Sequence, residues 1–375
     1  MENTFKFPRV RFFGNPKPGS GYGNATRIFA RCFDQSNICT KFVFPKSSYR
    51  DFETSLKGYE GDTDVDFYIH CPPYDKHRSK NYKIGYFYWE ADKLPHGWGR
   101  SIKSLNEVWS PCDLVTQACI KSGYDGIIRK IPTPADKKNS NTKIRIPSEV
   151  VPNSVLDDET FVFYSIFQWN YRKGYDALLR AYYEEFSDHD NCILVVKTNP
   201  LGNVKKSKQD MRKQILSIKK SIDKRLKPKI FLSDSIVNDD IITSLHVLGD
   251  CFVLPYRGEG WGMPIHDAIL HDSELIITKF GGVSEYLDDD SANIISHKLV
   301  PVKNMSWSSY YNDSQRWAEP SVPDLKRKMR IVYENRGGGL SKVVNAKKIV
   351  NNMNSESMIK LLEKEFSAKR FKRFS

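Results

Sequence analysis

In the segment CFVLPYRGEGWGMPIHDAIL, residues 251–270, an apolar run ends at Pro255 and Tyr256, and glycines follow at 258, 260 and 262. Pro264 then opens a helical pattern carried by Ile265, Ala268 and Ile269. Proline is at home at the first position of a helix, where its missing N–H has no partner to lose. A glycine-rich turn running into a helix start aims backbone N–H groups, here those near Trp261 to Met263, at an anion such as a diphosphate. Glu259 stands in the loop, and Asp267, eight residues on, is expected in the first helical turn. A carboxylate in each place can accept two hydrogen bonds, which is how protein sites hold vicinal hydroxyls. The plainer reading of the same residues is a glycine turn with an aspartate that complements the helix dipole.

A second constellation lies in FYSIFQWNYRKGYDALLRAY, residues 163–182. A strand pattern ends there, the chain turns from Gln168 to Gly174, and an amphipathic helix pattern begins. Arg172 and Lys173 fall in the turn. Two cations at that point neutralise a pyrophosphate through charge-assisted hydrogen bonds. A merely solvated pair would sit against the dipole of the following helix.

These turns need a scaffold that puts strand ends beside helix starts. Short apolar runs alternating with longer helical patterns are the mark of βαβ units around a parallel sheet. The first half offers VRFFG, TKFVF, DFYIH, KIGYFYW and EVWS as strands, with ATRIFARCF and DLVTQACIKSG as helices. The polar stretch TPADKKNSNTKIRIPSEVVPNSVLDDE reads as a linker. The alternation then restarts with FVFYSIF, YDALLRAYYEEF, CILVVKT, a long basic helix, KIFLS, DDIITSLHVLG, CFVLPY and ELIIT. The expected fold class is α/β: two Rossmann-like, doubly wound domains, over 1–150 and 151–354, facing across a cleft. Ligands bind such sheets at the carboxyl ends of strands. A last helix over 355–375 is expected to return to the first domain.

The chain has 375 residues and a net charge of +13, with basic residues concentrated from Lys76 to Lys103, from Lys205 to Lys229, and in the tail KEFSAKRFKRFS. Such a balance suits nucleic acid, an anionic membrane surface, a nucleotide substrate, or solvated lysine-rich faces. The seven cysteines form no C-x-x-C pair, so neither a zinc site nor a disulfide framework is indicated. Without an apolar leader or a membrane-length apolar run, a cytoplasmic location is expected. Asp288, Asp289 and Asp290 read as a solvated acidic turn rather than a metal-binding D-x-D, and no metal is expected.

The segment around Glu259 and Asp267 resembles the E-x7-E region of family 4 glycosyltransferases, usually close to E-G-x-G-x-P-x-x-E-A. The resemblance implies a GT-B fold and retaining sugar transfer from a nucleotide donor, UDP-sugars being the commonest. It places Glu259 on the donor sugar and Asp267, shorter by one carbon than the family's second Glu, on the ribose. The turn at 168–174 resembles the family's R-x-x-x-x-K-G phosphate motif, with Lys173 on the Lys, Gln168 at the Arg position and Arg172 supplying the missing cation. GNPKPGSGYGNATRIFARCF resembles the family's first-domain glycine loop, with Gly19, Gly21 and Gly23 between strand and helix. The expected catalytic set is Glu259, Lys173, Arg172 and His70. The expected donor-binding set is Gly21, Gly23, Gln168, Lys197, Gly260, Trp261, Gly262, Met263 and Asp267. No cofactor beyond the UDP-sugar is implied.

For the acceptor, the expectation is DNA carrying a hydroxymethylated pyrimidine such as 5-hydroxymethylcytosine, as in glycosyltransferases of T-even-like bacteriophages. The alternative is a cell-surface glycan or a lipid-linked acceptor. The DNA reading rests on Lys76, His77, Arg78, Lys80, Lys83, Lys93, Arg100 and Lys103, interleaved with Tyr74, Tyr82, Tyr86, Tyr88, Trp89 and Trp98. That mixture suits phosphate contacts plus stacking on an extruded base. Tyr74, Arg78, Lys80 and Glu90 are the acceptor-side candidates.

Overall fold

The computed structural model describes residues 7–17, 19–45, 50–74, 79–135, 150–152, 155–157, 159–199, 204–223, 227–235, 237 and 239–367. Its contacts divide the chain into two compact units, residues 1–136 with 351–375, and residues 137–350. The stretch read as a linker falls mostly outside the described residues.

The first unit runs β1 (Val10–Gly14), α1 (Gly21–Gln35), β2 (Thr40–Val43), α2 (Arg50–Thr54), β3 (Val65–Ile69), β4 (Tyr82–Tyr86), α3 (Trp98–Ile102), β5 (Glu107–Ser110), α4 (Asp113–Lys121) and β6 (Ile127–Lys130). All six strands pair in parallel, in the order β2-β1-β3-β4-β5-β6. A parallel sheet is covered on both faces, which is why β3 is buried at every position and reads as a continuous apolar run.

The second unit runs β7 (Phe161–Gln168), α5 (Tyr175–Glu185), β8 (Cys192–Asn199), α6 (Val204–Ser221), β9 (Lys229–Ser233), α7 (Asp239–Leu248), β10 (Cys251–Leu254), α8 (Met263–Leu270), β11 (Glu274–Thr278), β12 (Asn293–Ile295), β13 (His297–Pro301), β14 (Arg316–Pro320), α9 (Val322–Glu334) and α10 (Leu340–Asn351). Six strands form a parallel sheet in the order β12-β11-β10-β7-β8-β9. Strands β13 and β14 form a separate antiparallel hairpin. Sequence patterning did not find β6, β12 or this hairpin, because four exposed or half-buried residues such as Ile127–Lys130 carry no clean period.

The last helix, α11 (Ser355–Glu365), belongs to the first unit and packs on α1. Phe366 closes it, fully buried, with its ring 5.6 Å from Phe33 and 5.4 Å from Trp109. At the rim, Asn37 donates to Glu363, and Arg129 pairs with Glu365 at 3.3 Å. Among the described residues no helix is long and apolar enough to cross a membrane. All seven cysteines are free thiols. Removing the Phe366 ring leaves a cavity between α1 and the sheet. We expect Phe366→Ala to lose about 3–5 kcal/mol of stability, read from chemical denaturation. A loss below about 1 kcal/mol, the range of tolerated core swaps, means that α11 does not hold this unit together.

Candidate functional site

In the second sheet, β7 is followed in space by β8 on one side, while β10 is followed by β11 on the other. The sheet order therefore reverses between β7 and β10, and open α/β sheets bind ligands at the carboxyl ends of such a pair. The two turns singled out in the sequence, 169–174 and 255–262, are the connections leaving those two strand ends.

The turns are sewn together by their backbones and then by charge. The Arg257 N–H donates to the Arg172 carbonyl at 2.6 Å, and Arg172 Nη1 donates to the Gly258 carbonyl at 2.6 Å. Gly174, in the left-handed region at φ 71°, brings the first turn against the second so closely that a Cβ there would lie 1.8 Å from the Pro255 oxygen. Lys173 Nζ meets Glu259 Oε1 in a direct ion pair, and Arg172 Nη1 lies 3.8 Å from the same oxygen. Lys173 is 9% exposed and Glu259 6%. The two cations and the carboxylate, expected to serve different parts of a ligand, thus form one cluster in which Lys173 and Glu259 are buried and Arg172 is half-buried. The Glu259 carbonyl in turn accepts from Gly282 N–H at 2.9 Å, tying the loop to the turn after β11.

The residue that organises this edge is Arg257, which sequence reasoning passed over. Its side chain is essentially inaccessible. It donates to Asp176 at 2.8 and 2.9 Å, to Glu319 at 2.9 and 2.6 Å, and to the Tyr171 carbonyl at 2.7 Å. Its guanidinium also lies 3.6 Å from the Tyr171 ring centroid. Two carboxylates outweigh the burial and hold its pKa above the usual arginine value. The only trace in the sequence was an arginine between Tyr256 and Gly258, with Asp176 in the first turn of α5.

Helix α8 begins at Met263 behind Gly262, which adopts φ 93°. Pro264 is therefore the second helical residue, and no acidic residue lies in the first turn. Asp267 falls in the second turn, half-buried, which corrects the expectation that it would sit in the first. Gly260 and Trp261 are buried and Met263 half-buried. The Trp261 carbonyl accepts from Tyr286 at 2.9 Å. His266 is fully buried beside Trp261 and Tyr286, and burial pushes its ring down to about 3, so it stays neutral.

Gln168 ends β7 and is exposed. Lys197, near the end of β8, is 3% exposed and donates to the Thr198 carbonyl and Asn199 Oδ1, each at 3.0 Å. Burial pulls its ammonium down to about 8, opposed by Asp234.

In the first sheet the order reverses between β1 and β3. His70 follows β3 there, half-buried, with Nδ1 2.8 Å from the Cys71 carbonyl. Glu90 is half-buried after β4, and its charge helps raise the Cys71 thiol, chiefly lifted by burial, to about 12. Gly21 and Gly23 lie inside the first turn of α1 rather than before it, and Ser20 caps the helix by accepting from Gly23 N–H at 3.0 Å.

Tyr74 is corrected as an acceptor-side residue. It is 1% exposed and donates to the His70 carbonyl at 2.6 Å, so its ring is core. Tyr86, Tyr88, Trp89 and Trp98 are likewise 8% exposed or less, because β4 and the segment after it are covered on both faces. Arg78 lies outside the described residues, as do Lys76 and His77. Lys80, Lys93, Arg100 and Lys103 are exposed. Asp288, Asp289 and Asp290 form an exposed turn in which Asp288 accepts from Ser291 at 2.7 Å.

No protein-family model and no curated protein matches the sequence. By structure the chain is similar to HepE of Anabaena, solved in complex with UDP and glucose. The TM-score is 0.68 over 96% of this chain and 99% of HepE, at 12% identity. It is similar to a glycosyltransferase from Rickettsia africae at TM-score 0.66, over 99% of this chain and 100% of that one, at 13% identity. OtsA, in its apo form, matches at TM-score 0.62 over 96% and 99%, at 10% identity. At these identities the likeness establishes the fold, two Rossmann-like domains of the GT-B type.

Lys197 gives this edge a titrating charge that is present below about pH 8 and lost above it. The hold of this edge on an anionic ligand such as a nucleoside diphosphate is therefore expected to weaken as pH rises through that value. The drop should be roughly tenfold, the scale of one charge-assisted hydrogen bond. Calorimetric titration across pH should show this inflection in the wild type and none in Lys197→Met. Identical profiles would show that Lys197 plays no part in holding the diphosphate.

Proposed function

We propose that this chain is a nucleotide-sugar glycosyltransferase that moves a sugar from a UDP-sugar to an acceptor hydroxyl. The observation that carries the reading is the meeting of half-buried Arg172 with the buried pair Lys173 and Glu259 at the switch point of the second sheet. HepE, similar in fold, has been solved with UDP-glucose as well as with UDP. In this reading the diphosphate is received by Lys173, Arg172 and the amino end of α8. Glu259 takes the transferred sugar and Asp267 the ribose. As the bond from the anomeric carbon to the phosphate oxygen breaks, negative charge grows on the departing UDP, and preorganised cations and backbone dipoles stabilise it. That supply of positive charge is our reason for proposing metal-independent transfer.

Transfer with retention is proposed to follow from same-face attack. The acceptor oxygen bonds to the anomeric carbon while its proton passes to the departing phosphate. His70 and Glu90 are assigned to handling the acceptor. With Tyr74 and its neighbouring rings in the core, the DNA reading of the acceptor stands on charge alone, the exposed Lys80, Lys93, Arg100 and Lys103. It favours a hydroxymethylated pyrimidine in DNA over a surface glycan or lipid-linked acceptor through phosphate contacts, without an aromatic platform from those buried rings.

Turnover in excess chelator, with product anomericity read by NMR, tests the chemistry. The expectation is undiminished rate and retained configuration. Rescue by manganese of an activity lost to chelator would defeat metal independence, and an inverted product would defeat retention. Lys173→Ala should raise the barrier by about 2–4 kcal/mol, the scale of losing one preorganised electrostatic donor, and Glu259→Ala should strike turnover hard. The acceptor is tested with hydroxymethylated duplexes over a salt series. With about four or five phosphate contacts, log affinity should fall against log salt with a slope near −4. Salt-insensitive binding with no sugar on the DNA, together with transfer to a glycan or lipid, hands the acceptor to the alternative.

A further inference from the structure

Asn170 is the first residue beyond Trp169 in the turn that carries Arg172 and Lys173, and it is 5% exposed. Its carbonyl accepts from Lys173 N–H at 3.0 Å, which fixes the backbone of the turn. Its side chain does not cap that turn. Neither Nδ2 nor Oδ1 has a hydrogen-bond partner among the described residues. The residue is not loose, because both neighbours are locked. Trp169 stacks on Tyr175 at 4.3 Å and donates to Gln214 at 2.8 Å, while Tyr171 lies under the Arg257 guanidinium. Leaving a buried carboxamide unpaired costs free energy, and buried polar groups are almost always satisfied. Both atoms are shielded from solvent in the ligand-free chain, so a partner from outside the chain would reach them through a shift of this turn on binding.

We infer that Asn170 is a donor-recognition residue that pairs with a group both donating and accepting hydrogen bonds. This rests on the nucleotide-sugar reading above and deepens it. A carboxamide offers an acceptor oxygen and two N–H donors side by side. A diphosphate only accepts, so it would satisfy Nδ2 and leave Oδ1 stranded. Two parts of a UDP-sugar present the matching edge, the imide of the uracil and the vicinal hydroxyls of a sugar or ribose. A site built to hydrogen-bond such a group discriminates strongly against ligands lacking it, because its own polar atoms are then left unpaired.

Calorimetry with UDP and with UDP-glucose on wild type, Asn170→Leu and Asn170→Ser tests this, alongside thermal melts of the ligand-free proteins. Leucine keeps the branching and heavy-atom count of asparagine, is bulkier, and removes two unpaired polar atoms. Affinity in the leucine variant should fall at least about tenfold, while its ligand-free melting temperature reports whether the packing is kept. Equal losses for UDP and UDP-glucose assign the edge to uracil or ribose, and a loss confined to UDP-glucose assigns it to the transferred sugar. Wild-type affinity for both ligands in both variants overturns the inference, as does a melting temperature lowered in both with affinity unchanged. Wild-type protein that binds neither ligand overturns the nucleotide-sugar reading itself.

Discussion

The buried guanidinium of Arg257 is the contact on which the second unit's working edge depends. It is reached by carboxylates from two separate elements, Asp176 at the start of α5 and Glu319 on β14, and by the carbonyl of Tyr171. Its own backbone joins Arg172 on one side, and its carbonyl receives the Ala318 N–H at 2.9 Å on the other. One residue therefore fixes three segments distant in sequence. A planar fork with five donors can be shared this way, and a lysine at the same place could not. Breaking such a pair strands buried charge, which typically costs about 3–5 kcal/mol.

That clamp makes a second arrangement affordable in physical terms. Lys173 and Glu259 are also buried and paired, and pairs of this kind contribute little net stability because desolvation offsets attraction. Their value lies in being held where charge is useful. The turn carrying Lys173 is positioned by Gly174 and by Arg257, rather than by the ion pair alone. Asn170, Lys197 and His266 extend the pattern of polar groups buried at or near one sheet edge. Sites that do chemistry are where local rules of folding are broken and the cost is met elsewhere.

The first unit shows how the same residues mean different things in strand and loop. Tyr86 lies in a parallel strand and Trp89 shortly after one, and both are covered, so they build a core rather than a stacking surface. The lysines and arginines around them remain exposed, because a charged head group seeks water while an aromatic ring does not. Composition alone could not separate these two populations.

What the sequence determined by itself was the alternation of apolar runs with helical patterns, and the two turns rich in glycine and charge. Those are local properties: strand burial on both faces removes polar residues over short windows, and a turn that needs φ above zero calls for glycine at Gly174 or Gly262. The hairpin of β13 and β14 was not legible, since β13 is exposed or half-buried throughout and β14, though buried at Trp317, Ala318 and Pro320, is five residues long with no strong period. The start of α8 was legible only to within a residue, and that one-residue shift carries Asp267 from the first turn into the second. Tertiary structure alone decided that Arg172, Lys173 and Glu259 share one cluster and that Arg257 binds Asp176 and Glu319. The reason is that strand order, which brings β7 beside β10 some ninety residues later (Phe163 opposite Cys251), is set by packing across the whole sheet and leaves no mark in any single window.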